Sequence, residues 1–162
     1  MIRNVTREDA ERIAEIYNHY ILNTIITFEE ICLTSGEICQ RIAKLEDLKL
    51  PWIVIEQDQR VVGYAYAGVF RERAAYRYST EVSVYLDHQV TGGGLGTQLF
   101  AELLNRLEQT SMHTVIGGIA LPNAASVALH EKFGLRKVAE IQQVGFKFDR
   151  WIDVGYWQKI IK

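Results

Sequence analysis

The sequence predicts one α/β domain, residues 1–162, built on a mixed β-sheet. Two patterns carry that prediction. Apolar runs with strand character alternate along the chain with stretches that repeat at helical spacing. At mid-chain a strand pattern runs directly into Gly92-Gly93-Gly94-Leu95-Gly96, and that turn opens an amphipathic helix. The bulk numbers agree: 162 residues, 48% hydrophobic and 23% charged, are one domain's worth of chain with enough apolar material for a sizeable core.

Taken in order, Ile2 to Val5 reads as a short opening strand. Thr6 or Asp9 then caps a helix with Ile13, Ile16, Tyr17 and Tyr20 on one face. After a link through Thr27-Phe28-Glu29, the spacing of Ile38, Ile42 and Leu45 predicts a second helix, which Pro51 ends. Trp52 to Glu56 and Arg60 to Phe70 form an antiparallel pair around the polar turn Gln57-Asp58-Gln59. A fourth strand runs from about Ser79 to Asp87. The helix after the glycine turn carries Leu95, Leu99, Leu103, Leu104 and Leu107 on one stripe. Thr114 to Ala120 reads as a buried strand. Asn123 caps the next helix and Gly134 stops it. Lys137 to Val144 and Val154 to Ile161 close the sheet. No repeat, linker or low-complexity tract interrupts the series.

Composition excludes several function classes. A formal net charge of −2 argues against a general binder of nucleic acid or anionic membranes. Cys32 and Cys39 are too few for a disulfide framework and have no CxxC spacing, so they read as reduced thiols of a cytoplasmic protein. The chain is charged from Arg3 onward and no apolar run approaches membrane-spanning length. His19, His88, His113 and His130 are scattered without ligand spacing, so no metal is expected. No GxSxG elbow is present for a serine hydrolase.

The glycine turn is the chemical signal. Glycines let the backbone curl so that successive N–H groups face one concavity, and the following helix adds its unpaired amides and positive dipole end. Such a place binds a pyrophosphate. The P-loop needs Lys-Ser/Thr after its last glycine, whereas Gly96 is followed by Thr97-Gln98; the dinucleotide pattern GxGxxG is not matched either. What remains, x-x-Gly-x-Gly-x-Gly between a strand and a helix, resembles the acyl-CoA-binding signature of the GCN5-related N-acetyltransferase (GNAT) superfamily. Thr91 stands where that superfamily has Arg or Gln, and offers a hydroxyl and an amide but no charge.

Further segments sharpen the resemblance. Ile16-Tyr17-Asn18-His19-Tyr20, Thr27-Phe28, Ala65-Tyr66-Ala67-Gly68, Glu81-x-x-Val84-Tyr85, Leu129-His130-Glu131 and Gly145 to Gln158 are similar to the phosphinothricin and methionine sulfoximine N-acetyltransferase branch, in order over nearly the whole chain. The resemblance implies a largely antiparallel sheet of about seven strands flanked by about four helices, splayed between strands four and five, often at a bulge. It implies a homodimer that moves acetyl from acetyl-CoA to the α-amine of a small glutamate-like compound.

Acetyl transfer needs a neutral amine, a thioester carbonyl held against it with donors for the developing oxyanion, and a route for the departing thiolate, whose thiol has a pKa of about 8.5. Glu81 shares a strand face with Ser83 and Tyr85, while Val82, Val84 and Leu86 share the other. By strand position alone Glu81 is either a solvated carboxylate or a base; the resemblance favours the base. It also implies that amides of Val84, Tyr85 and Leu86 hold the pantetheine arm. The pyrophosphate would sit on amides of Gly92, Gly93, Gly94, Leu95, Gly96 and Thr97. Asn123 is an N-cap or a pantetheine contact. His130, where the superfamily often has an acidic tyrosine, is either a proton donor to the thiolate or a packed core residue.

On the acceptor side, Arg71, Arg73 and Arg77 interleave with Tyr76 and Tyr78 just before Glu81, offering guanidinium forks to an anionic acceptor or a solvated basic loop. Arg73 and Tyr76 match the branch's Arg-x-x-Tyr, and Arg71 stands where it often has lysine. Phe28 would wall the pocket, Ser83 would line it, and Lys147, Arg150 and Trp151 would reach it from a late hairpin. Asp149 replaces the branch's glycine there and adds negative charge, which leaves the acceptor open to a compound other than phosphinothricin. Two rival readings stay open: transfer to another small amine or a peptide N-terminus, and an acyl-CoA-binding module without turnover.

Overall fold

The computed structural model describes residues 1–90 and 92–162. The elements are β1 (Ile2–Asn4), a 3-10 turn (Arg7–Asp9), α1 (Ala10–Asn23), α2 (Ser35–Asp47), β2 (Trp52–Gln57) and β3 (Arg60–Val69). A second 3-10 turn (Ala74–Tyr76), β4 (Ser79–Leu86), α3 (Leu95–Glu108), β5 (Thr114–Ala120), α4 (Ala124–Lys132), β6 (Arg136–Lys147) and β7 (Arg150–Ile160) follow.

Of the two expected caps, Thr6 opens the 3-10 turn, while Asp9 precedes α1 without a side-chain bond to its amides. The Thr6 N–H donates to the Asp9 carboxylate at 2.8 Å, and the Arg3 guanidinium grips the same carboxylate through two bonds of 2.8 Å. Burial alone would raise the Asp9 pKa; Arg3 and the Thr6 N–H outweigh it and hold the carboxyl below its ordinary value. α2 starts at a capping box, with the Glu37 N–H on the Thr34 hydroxyl at 3.2 Å and the Glu37 carboxylate accepting from the Thr34 N–H at 2.8 Å. It ends at Asp47, ahead of the expected stop at Pro51. Lys49 adopts φ 56° and the Leu50 N–H returns to the Leu45 carbonyl at 2.9 Å, so the helix closes on its own left-handed cap.

The sheet has the order β1-β2-β3-β4-β5-β7-β6, antiparallel except for the parallel β4–β5 pair. β2 and β3 join through Asp58-Gln59, both with φ near 50–60°, which suits a two-residue hairpin. β6 and β7 extend much further toward each other than the expected Lys137–Val144 and Val154–Ile161. They meet at a turn of Phe148-Asp149, again both at positive φ. Register shifts at Lys137/Ala139 and Ile141/Gly145 break the period-two pattern that would have shown this length in the sequence. Asp149 occupies its left-handed position because a short polar side chain tolerates that conformation.

α1, with α2 beside it, covers one face. Tyr17 and Tyr20 meet the Tyr85 ring edge-on at 5.1 and 5.3 Å. On the other face Leu86 of β4 and Leu129 of α4 both close on Gly96 at the start of α3. The predicted leucine stripe of α3 is buried throughout, together with Phe100. Each such leucine contributes about 1.5–3 kcal/mol by leaving water, enough to fix the helix and, with it, the glycine turn at its head. Among the described residues no helix is long and apolar enough to cross a membrane.

Candidate active site

β4 and β5 pair only over Ser79–Glu81 against Thr114–Ile116, and then part, although β4 continues to Leu86 and β5 to Ala120. The expected splay is present. It needs no bulge in β4, whose register with β3 runs unbroken from Thr80 to Leu86.

Which backbone groups face the cleft follows from alternation. The Asp87 N–H bonds the Val62 carbonyl of β3 at 2.8 Å, whereas the Tyr78 carbonyl accepts from Thr114 of β5 at 3.1 Å. Odd residues of β4 therefore turn their backbone groups to β3 and even residues turn theirs to β5. Val84 and Leu86 present amides to the cleft. Tyr85 does not: its backbone belongs to the β3 ladder opposite Tyr64, and its ring is buried against Tyr17, Tyr20 and Tyr64. On the facing side the Leu121 N–H bonds Asp153 of β7 at 2.9 Å, so Gly118 and Ala120 turn their backbone groups inward.

The glycine turn closes one end of this cleft. Gly92, Gly93 and Gly94 hold φ of 80°, 70° and 62°. A Cβ on Gly92 or Gly94 would meet open space, so the left-handed backbone rather than crowding requires glycine. The first bond of α3 is Gln98 N–H to the Gly94 carbonyl at 3.0 Å, which leaves the amides of Leu95, Gly96 and Thr97 without intrahelical acceptors. A groove of about 520 Å³ runs along this head of α3. It brings together Val84, Leu86, Gly92, Gly94, Leu95, Gly96, Thr97 and Asn123, nearly the whole predicted cofactor set, and adds His130. Gly93 stands just outside the lining, its carbonyl accepting from the Gln98 side chain at 3.0 Å. The reading of Thr91 falls outside the described residues.

Two glycines that sequence reasoning passed over, Gly117 and Gly118 of β5, set the geometry around Glu81 and His130. A Cβ on Gly117 would lie 2.4 Å from the His130 ring; one on Gly118 would lie 2.9 Å from the Glu81 carboxylate and 3.3 Å from the Tyr156 ring. Consecutive strand residues point to opposite faces, so Glu81 and His130 approach the same strand from opposite sides. The Gly-Gly pair inside a predicted strand was the available signal. Glu81 is half-buried, and burial pushes its carboxyl above the ordinary carboxylate range, with the Arg71 guanidinium pulling the other way.

His130 is buried, its Nδ1 2.7 Å from the Ser126 carbonyl and its ring edge-on to Phe100 at 5.0 Å. A carbonyl can only accept, so Nδ1 carries the hydrogen and Nε2 of the neutral ring has a lone pair to offer, not a proton. Burial lowers the His130 pKa, against the Ser126 carbonyl, which favours the cation. The geometry thus favours the packed alternative for this residue. The Asn123 side chain accepts from the Ser126 N–H at 3.1 Å, so its cap role is used.

The acceptor-side residues divide. Arg71 lies over the Phe70 ring at 5.0 Å and lines a hollow of about 270 Å³ with Ile116, Ile141 and Tyr156, on the Glu81 face of the sheet. Ser83 is on that face too, opposite Tyr66 in the ladder. Arg73 and Tyr76 flank and form the exposed 3-10 turn, Tyr76 meeting Phe70 edge-on at 5.7 Å. The Phe28 ring lies against Gly145 of β6, where a Cβ would be 2.4 Å away. Lys147 is not at the hollow as expected. It is 2% exposed and donates to the Thr27 carbonyl at 2.8 Å, tying the hairpin to the α1–α2 loop.

A family profile described as "Acetyltransferase (GNAT) domain" matches residues 2–155. The phosphinothricin N-acetyltransferase of Streptomyces viridochromogenes is 36% identical over 158 residues, covering 98% of this chain and 86% of its own. The L-methionine sulfoximine/L-methionine sulfone acetyltransferase of Salmonella typhimurium is 34% identical over 157 residues, covering 97% and 92%. An acetyltransferase of Salmonella typhimurium, solved with acetyl-CoA as its cofactor, superposes with a TM-score of 0.97 at 33% identity over 100% of this chain and 94% of that one.

Proposed function

The chain belongs to the GNAT acetyltransferase family, and from that premise we propose that it transfers acetyl from acetyl-CoA to the α-amine of a small glutamate-like amino acid analogue of the phosphinothricin or methionine sulfoximine type. The observation that supports this most is the juxtaposition of the open β4–β5 cleft, the free amides at the head of α3 and the half-buried Glu81.

The co-substrate supplies an activated thioester; the chain supplies its place. Amides of Gly92 to Thr97 and the helix dipole suit a pyrophosphate. The inward amides of Val84 and Leu86 suit an extended polar arm laid along β4, with one of them polarising the thioester carbonyl. Glu81 accepts the proton of the acceptor's ammonium, directly or through water. The nitrogen lone pair then forms the N–C bond as the C–S bond breaks, and the proton remaining on that nitrogen passes to solvent, from which the departing thiolate is protonated, leaving a neutral amide and a free thiol. His130 forms the groove wall beneath Gly117. Donation from its Nε2 would require the cation that burial disfavours, so the thiolate leaves without it.

Arg71, with Arg73 and Tyr76 on the neighbouring loop, is the acceptor's carboxylate clamp in this reading. A second copy of the chain completes the hollow. β6 is an edge strand whose Val138, Ile141, Val144 and Phe146 are exposed, beside Trp151 at 63% exposure, and β6 itself lines the hollow. Free thiols at Cys32 and Cys39 suit a cytoplasmic enzyme.

The experiment is thiol release from acetyl-CoA with L-methionine sulfoximine, phosphinothricin and an N-terminal peptide as acceptors. Turnover with either amino acid analogue and none with the peptide supports the reading. Turnover with the peptide alone transfers the activity to protein N-termini, and acetyl-CoA binding without turnover identifies a silent module.

A further inference from the structure

The hollow beside Glu81 holds one polar side chain that the proposed transfer does not use. Glu81 of β4 pairs with Ile116 of β5, and Ile116 pairs with Gln158 of β7, so the three stand in one row across the sheet and share a face. Two strand spacings, about 10 Å, separate the backbones of Glu81 and Gln158. Tyr156 joins the two ends. Its ring and the Glu81 carboxylate both crowd the place of a Cβ on Gly118, at 3.3 and 2.9 Å. The row thus leads from the carboxylate into the hollow of about 270 Å³ that Tyr156 and Gln158 line. Gln158 is half-buried, and its carboxamide has no hydrogen-bond partner among the described residues.

The rest of the lining decides what that carboxamide can meet. Phe70, Ile116, Ile141 and Tyr156 give largely apolar walls, and Arg71 is the one ionic group among the lining residues. The proposed function commits Arg71 to the acceptor's carboxylate. Cations for a second anion stand elsewhere: Lys147 is engaged by the Thr27 carbonyl, and Arg73 flanks the exposed 3-10 turn. Arg136, opposite Gln158 in the ladder, is exposed and outside the lining. An anion drawn into apolar walls without a cation of its own loses hydration that nothing replaces. A carboxamide, donor and acceptor together, instead suits a neutral oxygen or an imine N–H. Building on the proposed function, we infer that Gln158 is a specificity-determining residue that binds the polar group of an uncharged acceptor side chain. The hollow then selects sulfone- or sulfoximine-bearing amino acids over phosphinothricin, which has the same skeleton and a negative charge.

The test is kcat/KM by thiol release from acetyl-CoA with L-methionine sulfone, with L-methionine, which lacks the oxygens, and with L-phosphinothricin, which carries the charge. The native chain should favour the sulfone by about tenfold or more over each of the others. In Gln158→Leu the sulfone-to-methionine ratio should fall about tenfold, through KM more than kcat. Gln158→Glu, which keeps the side chain's size but not its N–H donors, should lower the ratio in the same way. Should Gln158→Leu fail to fold, the isosteric variant and the native preferences carry the test. An unchanged ratio in the folded variants, or a native preference for phosphinothricin, would overturn the inference and leave acetyl transfer standing. No turnover with any of these acceptors would overturn the proposed function and the inference with it.

Discussion

Glu81 and His130 reach the same strand from opposite faces of the sheet, the carboxylate at Gly118 and the imidazole at Gly117. The strand between them is where β5 has parted from β4, so each group flanks the cleft without touching the other. In the proposed function this placement separates the residue assigned to the acceptor, Glu81, from His130, which lines the groove.

The two glycines should therefore fail differently. Gly117→Ala drives a methyl into the His130 ring and should cost about 1–3 kcal/mol in denaturant unfolding. Gly118→Ala presses on the Glu81 carboxylate, whose side chain can swing away, so kcat should fall by about tenfold or more with a smaller loss of stability. Equal loss of stability in both variants, with unchanged kcat in the second, would contradict this division.

Glu81→Gln should lower turnover by about 10²-fold or more. It should also raise Tm at neutral pH. The folded-state pKa of Glu81 lies above its unfolded value, so its contribution is most favourable below the unfolded pKa and is lost as pH rises through the folded one. A lower Tm in the variant would contradict the burial argument.

The acid limb of the pH–rate profile should lie above the ordinary glutamate range, because the base must lose its proton and burial resists that. Arg71 favours the charged carboxylate, so Arg71→Gln should move the limb to still higher pH as well as raise KM for the acceptor. A shift to lower pH would show that Arg71 does not act on Glu81.

Asp9→Asn should cost about 1–2 kcal/mol at pH 7, discounted for the partial solvent exposure of Arg3. The native Asp9 pKa is depressed, so its stabilisation exists above the unfolded value and is lost as pH falls through the folded one. Unfolding curves of the two proteins should converge in acid.

Much of this was legible in local sequence. The leucine stripe of α3, the Asn123 cap and the Gly134 stop depend on neighbours within a few residues, and all appear as expected, with Gly134 at φ 84°. Other features depend on distant partners. Tyr85 belongs to the β3 ladder by a register that spans the β3–β4 connection, and Lys147 is consumed by a carbonyl 120 residues away. The length of β6 was hidden by its bulges, and the function of Gly117 and Gly118 appears only once α4 and β4 have packed on either side of them.

The most direct test is steady-state thiol release from acetyl-CoA with L-methionine sulfoximine, comparing the native chain with Glu81→Gln after both are shown to bind acetyl-CoA with similar affinity. Turnover in the native protein and a fall of about 10²-fold or more in the variant are expected. Equal turnover in the two, or acetyl-CoA bound by the native protein and never consumed with any amine, would contradict it.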